Sequence, residues 1–280
     1  MRVLRQDGEF GWTEATFRVP DPRLQPYIEG DYLGWAEDIS RPVMLRETPN
    51  GFIPMIFNLG PAWRVVGADG ASGFQDSFLA GLHERYTLVE SSGRSCCIQV
   101  NFTPGGALKL LGLPLSEIAH RVIPIEEIVG RAGRDLIARL REARDWRRRF
   151  ALLEDFFLTR FAGPHMLSRE SAWAWRMLRE RNGMLLIGDL ATELGWSRKR
   201  LIADFHREFG LTPKRAARVM RFERAIRGID GVPAPRWAEI AADCGYYDQA
   251  HLNRDFRAFA GVTPAEYVAG LLPNYGVPGY

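Results

Sequence analysis

The stretch LATELGWSRKRLIADFHREFGLTP (190–213) decides the reading of this chain, because it returns as IAADCGYYDQAHLNRDFRAFAGVTP (240–264). Leu190, Ala191, Gly195 and Trp196 recur 50 residues later as Ile240, Ala241, Gly245 and Tyr246. Leu201, Phe205, Gly210, Thr212 and Pro213 recur 51 residues later as Leu252, Phe256, Gly261, Thr263 and Pro264. One residue inserted at the turn accounts for the change of offset. Two copies are too few for a solenoid and suit a domain built from a duplicated unit. Each copy runs apolar-Ala-x-x-apolar-Gly-aromatic, then polar residues, then Leu-x-x-x-Phe. A helix-turn-helix must read this way. The small Ala lets the helices approach, Gly allows the sharp turn, and Leu and Phe at i, i+4 bury one face of the second helix. The polar residues at that helix's start stay free to enter a major groove. An αα-hairpin in any bundle shares part of this pattern, so the second copy carries the argument.

Working outward, the spacing predicts helices near 169–181, 188–194, 198–209, 213–228, 236–243, 249–259 and 264–270. Gly183, Gly195, Gly210, Gly245 and Gly261 punctuate them as turn or C-cap glycines would. Thr212-Pro213 and Thr263-Pro264 read as an N-cap followed by proline in the first turn, and Ser168 and Asp248 read as further N-caps. Upstream, the first hundred residues read as β. Short runs rich in aromatic and β-branched residues, among them FIPMIFNLG, AWRVVG, ERYTLVES and SCCIQVNF, alternate with Gly, Pro, Asn and Asp. PGGALKLLG suits a short helix, and 133–161 reads as two helices that either cover the sheet or form a dimer face.

The expected fold is therefore α+β. A β-rich sandwich or barrel-like domain with trailing helices spans 1–161, a linker 162–168, an all-α domain of two helix-turn-helix units joined by a linker helix 169–270, and a tail 271–280.

The chain has 280 residues, 46% of them hydrophobic and 25% charged, a globular composition. It has no apolar run long enough to span a membrane and begins with no apolar signal core, so the expected location is the cytoplasm. Its three cysteines, Cys96, Cys97 and Cys244, suit neither a disulfide framework nor a four-ligand zinc site. Cys96 and Cys97 are neighbours on an expected strand and should point to opposite faces. No Gly-x-Ser-x-Gly, Walker loop or HExxH is present, and the histidines match no metal spacing. Neither an enzyme, a metal nor a cofactor is expected. The net charge of +3 is unevenly placed: 197–227 holds ten basic residues and three acidic ones, whereas 228–270 holds three basic and six acidic. A local cationic stretch in a near-neutral chain points to a polyanion.

Segment 168–270 resembles the C-terminal DNA-binding domain of AraC-type bacterial transcription regulators. CGYYDQAHLNRDFRAFAGVTPAEY (244–267) is close to that family's signature, and PKRAARVMRFERA (213–225) resembles its linker helix. The resemblance implies two helix-turn-helix units reading successive major grooves of duplex DNA. It implies that Arg198, Lys199 and Arg200 in the first unit, and Gln249, Ala250, His251, Asn253 and Arg254 in the second, face the DNA. Gln and Asn can pair with adenine and Arg with guanine. Ile202 and Ala203 sit where many members place polar base readers, so the first unit is expected to read by charge, methyl contacts and shape.

The front half resembles an uncharacterised module found ahead of such domains, carried by TPNGFIPMIFNLG (48–60) and IQVNFTPGGALKLLGLPLSEIAHRVIPIEEIVG (98–130). The resemblance implies a sensor or oligomerisation role, with a small-molecule effector or a homodimer as the partner. Trp35, Phe57, Trp63, Tyr86 and Phe102, with Trp12 and Phe78, could line an apolar effector pocket or simply form the sandwich core. The expected function is a ligand-responsive, sequence-specific DNA-binding regulator. The alternative is a sensor or scaffold that keeps the helical fold without specific DNA binding.

Overall fold

The structure is a computed structural model that describes residues 1–161, 163–229 and 235–270. Residue 162 of the expected linker, Asp230 of the acidic stretch and the expected tail 271–280 lie outside the described residues.

The front half is built on β1 (Arg2–Gly8), β2 (Gly11–Arg18), β3 (Tyr32–Ile39), β4 (Val43–Glu47), β5 (Ile53–Asn58), β6 (Trp63–Gly67), β7 (Ser72–Gln75), β8 (Phe78–Ala80), β9 (Thr87–Ser91), β10 (Arg94–Phe102) and β11 (Val122–Pro124). They form a seven-stranded sheet, ordered β1-β2-β3-β10-β5-β8-β11, and a four-stranded sheet, β4-β9-β6-β7. The helices that follow are α1 (Pro104–Leu111), α2 (Ile125–Val129), α3 (Arg131–Glu142) and α4 (Trp146–Arg160).

The register at the sheet's centre decides which side chains share a face. Cys97 of β10 lies opposite Trp35 of β3 and Asn58 of β5. Ile98 lies opposite Gly34 and Phe57. Successive residues of a strand point to opposite faces, so Gly34, Phe57, Ile98 and Phe102 share one face and Trp35, Cys97 and Asn58 the other. Helix α4 covers the first of these. Phe157 packs against Tyr32, Phe57 and Phe102, and Phe150 against Tyr32. Each such ring removed from water contributes about 2 kcal/mol. Trp146 lies flat on Gly34, where a Cβ would come within 2.6 Å of the indole. The apolar face of α4 is thus occupied by the sheet. On the other face, Ile56, Phe78 and Cys97 are buried, with Trp35 and Val122 and with Trp63 of the smaller sheet packed on them. Cys96 points the opposite way from Cys97, toward Arg149, whose Nη1 lies 3.5 Å from its sulfur.

The second half is all helix: α5 (Arg169–Glu180), α6 (Ile187–Glu193), α7 (Arg198–Phe209), α8 (Pro213–Ile229), α9 (Trp237–Asp243), α10 (Gln249–Ala260) and α11 (Pro264–Gly270). The chain divides into two compact units. One comprises Met1–Leu45, Phe52–Gly81 and Leu88–Met166; the other, Arg46–Gly51, Leu82–Thr87 and Leu167–Tyr280. Two short stretches that lie among the strands in sequence therefore count with the helices. Within that helical unit, Arg46 donates to the carbonyl of Ala260 at 2.6 Å and stacks on Tyr86. Glu84 pairs with Arg215 at 3.2 Å, and the Gly51 amide donates to Glu223 at 3.3 Å.

No helix among the described residues is long and apolar enough to cross a membrane.

Candidate nucleic-acid interface

The two copies of the repeat become α6–turn–α7 and α9–turn–α10. Their turns need backbone that ordinary residues avoid: Gly195 has φ +64° and Gly245 φ +74°. A side chain at such a position costs about 1 kcal/mol. Gly210 and Gly261 close α7 and α10 in the same left-handed conformation. Ser197 caps the start of α7 by accepting from the Arg200 amide, and Asp248 caps α10 by accepting from the His251 amide at 2.7 Å. Ala191 and Ala241 are buried where the helices of each unit meet. Leu201 and Phe205, like Leu252 and Phe256, turn inward.

Separate aromatic clusters hold the two units. Trp175 of α5 stacks on Phe205 and packs tilted against Phe209. Phe222 of α8 packs edge-on against Phe256 and tilted against Phe259. Both copies are anchored, so what remains outward is fixed in direction.

In α7 the exposed residues are Arg198, Lys199, Arg200, Ile202, Ala203, His206 and Arg207. Two of the three residues of the first unit expected to face the DNA fold back on the protein. The Arg200 guanidinium lies 4.2 Å above Trp196, and its Nε is 3.5 Å from Asp204. The Arg198 guanidinium lies over Gly188, 2.5 Å from where a Cβ would stand. Lys199 is exposed and makes no hydrogen bond or ion pair among the described residues. In α10, Gln249, Ala250 and Arg254 are exposed and Asn253 half-buried. Gln249, Asn253 and Arg254 likewise have no polar partner among the described residues. His251 is turned inward: its ring packs edge-on against Tyr246 at 5.1 Å, and its Nδ1 accepts from the Tyr247 amide at 3.5 Å.

The cationic helix α8 looks different in three dimensions. Arg218 pairs with Asp255 at 2.6 Å, and the carboxylate side chain is only 3% exposed. Arg227 and Arg179 both reach Glu223, at 3.0 and 2.6 Å. Arg215 pairs with Glu84, and Arg221 donates to the Gly183 carbonyl at 3.3 Å. Most of its guanidiniums are thus engaged in holding the helical unit together. Burial, followed by the charge of Asp255, pushes the Tyr246 phenol up, so it stays neutral.

The structure does not bring together the five residues expected to line a pocket. Phe57 and Phe102 are fully buried under α4 as core. Tyr86 stacks with Arg46 inside the helical unit. Trp35 and Trp63 share a different site, the face between the two sheets. There Trp35 Nε1 donates to Glu37 at 3.0 Å and Trp63 Nε1 to Ser95 Oγ at 3.3 Å. Glu37 is buried and also accepts from Ser91 and Ser95.

Sequence reasoning missed the Arg218–Asp255 pair, which leaves no short-range pattern. It also passed over Tyr247, the extra residue in the turn of the second copy. Tyr247 is 94% exposed at the entrance to α10, and the change of offset marks it.

Residues 190–270 match the family described as a helix-turn-helix domain, and residues 16–124 match a domain of unknown function, DUF6597. Among solved structures, ToxT from Vibrio cholerae is similar at 10% identity over 85% of this chain and 98% of that one, with a TM-score of 0.51. The AraC-like transcriptional activator CuxR matches at 13% identity over 81% and 87% of the two chains, TM-score 0.32. The C-terminal domain of AraT, a response regulator from Geobacillus stearothermophilus, matches at 22% identity over 41% and 95%, TM-score 0.36. No curated protein matches.

Proposed function

We propose that this chain is an AraC-type regulator, that it recognises specific duplex sequences through residues 169–270, which contain the matched helix-turn-helix domain, and that a small molecule bound in its front half controls the contact. One observation carries the DNA reading. Two anchored helix-turn-helix units each present the start of their second helix outward, and Lys199, Gln249, Asn253 and Arg254 stand there with their donors and acceptors uncommitted. An uncommitted polar side chain on a rigid helix is what base-edge recognition needs. Arg198 and Arg200 are held against the protein by a glycine surface, an indole face and a single ion pair whose arginine is 60% exposed, and can turn to phosphate at modest cost.

One feature argues against the scaffold alternative: among the described residues, the outward side chains at the starts of α7 and α10 stay largely exposed.

For the effector, the supporting feature is the face between the sheets, where two indoles and a buried carboxylate lie close together. An apolar or aromatic molecule is proposed to bind beside Trp35 and Trp63. Its occupancy shifts DNA affinity only if it favours one state of the chain over another. Tryptophan quenching by a small-molecule panel, followed by operator titration of the full chain with each ligand found, tests this. The reading requires a ligand that changes DNA affinity roughly 5- to 150-fold and whose own affinity changes by the same factor when DNA is present. A quenching ligand without reciprocal coupling contradicts it.

A further inference from the structure

Ile202 has no structural reason to be where it is. The buried face of α7 is made by Leu201, Phe205 and Phe209, each 1% exposed or less, whereas Ile202 is 43% exposed. Arg198 precedes it by one turn and Lys199 stands beside that, so the outward stripe is an apolar centre with a cationic frame on its N-terminal side. Ala203, exposed next to it, widens the apolar centre. The repeat adds a second, independent observation. The 51-residue offset that matches Leu201 to Leu252 matches Ile202 to Asn253 and Ala203 to Arg254. The positions that carry hydrogen-bonding side chains in the second unit carry aliphatic ones in the first, on the same scaffold.

We infer that Ile202, with Ala203 beside it, reads the 5-methyl group of thymine in the half-site bound by the first unit; this rests on the DNA-binding function proposed above. The cationic frame brings the polyanion to this surface. At its centre the side chains offer no donor or acceptor. Any base edge presenting only polar groups there would lose its water and gain no hydrogen bond in return. Thymine alone exposes an apolar group in the major groove, so it alone gains from the contact. A buried methyl group favours binding about fourfold, equivalent to ~0.8 kcal/mol.

The test uses the full chain and a duplex it has selected from random DNA. Each thymine is replaced singly by deoxyuridine, which keeps the base pair and removes only the methyl group. The inference expects about fourfold weaker binding at one or two positions of the first half-site and no comparable loss in the second. Ile202→Ala should abolish that sensitivity without changing the fold, since the side chain is exposed, while Ile202→Val should retain it. Equal binding of thymine and deoxyuridine duplexes throughout the first half-site, with sequence selectivity otherwise intact, overturns the inference and leaves the DNA-binding reading standing. Unaltered methyl sensitivity in Ile202→Ala overturns it as well, by placing the contact elsewhere. Failure to bind any duplex overturns both.

Discussion

The two helix-turn-helix units share a scaffold and differ in almost everything they show to solvent. Ala, Gly, Leu and Phe recur at matching positions because both units must bury the same face and make the same turn. The outward residues have no such constraint. The first unit presents lysine, arginine and aliphatic side chains behind a neutral cap, Ser197. The second presents amide and guanidinium groups behind a charged cap, Asp248. A carboxylate at a helix start offsets the positive end of the helix dipole that would draw in a phosphate. The first unit is therefore suited to backbone attraction and methyl contact, the second to base discrimination. Where a duplicated domain conserves and where it diverges separates what the fold needs from what the ligand needs.

The largest expected difference lies inside the scaffold. Arg218→Ala would leave Asp255 buried without a partner. It should destabilise the chain by about 3 kcal/mol, toward the lower end for a broken buried pair because Arg218 is itself 34% exposed. Its nearest counterpart in the first unit, the Asp204 pairing with Arg200 and Arg207, joins a less deeply buried carboxylate, 19% exposed, to two arginines that are 60% or more exposed. Asp204→Ala should cost less than about 1 kcal/mol. Urea unfolding of both variants checks this; equal losses would mean the two units are held alike.

Base discrimination comes next. Asn253→Ala or Arg254→Ala should each remove about 1–3 kcal/mol of preference at a particular base pair of the second half-site, leaving binding to unrelated duplexes unchanged. Titration against single-base operator variants reads this directly. Uniform weakening on every sequence would make these residues phosphate contacts and erase the proposed contrast.

The caps sharpen the comparison further. Ser197→Ala and Asp248→Ala should each cost about 1 kcal/mol of stability. Their effects on DNA should diverge: removing the Asp248 carboxylate should offset its stability loss with tighter nonspecific binding, whereas Ser197→Ala gains nothing. Electrophoretic or anisotropy titrations at low salt distinguish the two.

The smallest effect belongs to Lys199. If it contacts one phosphate, Lys199→Ala should lower the slope of log K against log salt by ~0.9. Adding Arg198→Ala and Arg200→Ala should lower it further only to the extent that those guanidiniums leave Gly188 and Trp196 on binding. Gln249→Ala should leave the slope unchanged.

The helical half could be read from sequence because its information is local. The expected boundaries of α5 to α11 fall within two residues of those observed, since glycines at positive φ and Ser, Thr and Asp caps act within one turn. Strands β5, β6, β9 and β10 were also legible as separate runs, but not their partners. Sheet order places β10 between β3 and β5, pairings separated by tens of residues. That order decided the fate of the expected pocket. Phe57 and Trp35 look alike in sequence, yet the register through Cys97 and Ile98 sends them to opposite faces. Tyr86 precedes β9 and was never in a sheet. Arg-rich α8 misled in a similar way. Charge can be counted in sequence, but Asp255 and Glu84, which engage two of its guanidiniums, come from outside the helix, and only Glu223 lies on α8 itself.

Selection of bound sequences from random duplex DNA by the full chain tests the central claim most directly. The account predicts enrichment of two short blocks about one helical turn apart on one face of the duplex. One block should contain adenine or guanine positions that Asn253→Ala or Arg254→Ala relaxes, and the other thymine positions that respond to Ile202. Recovery of unenriched sequence, or of a single block untouched by changes in α10, would contradict it.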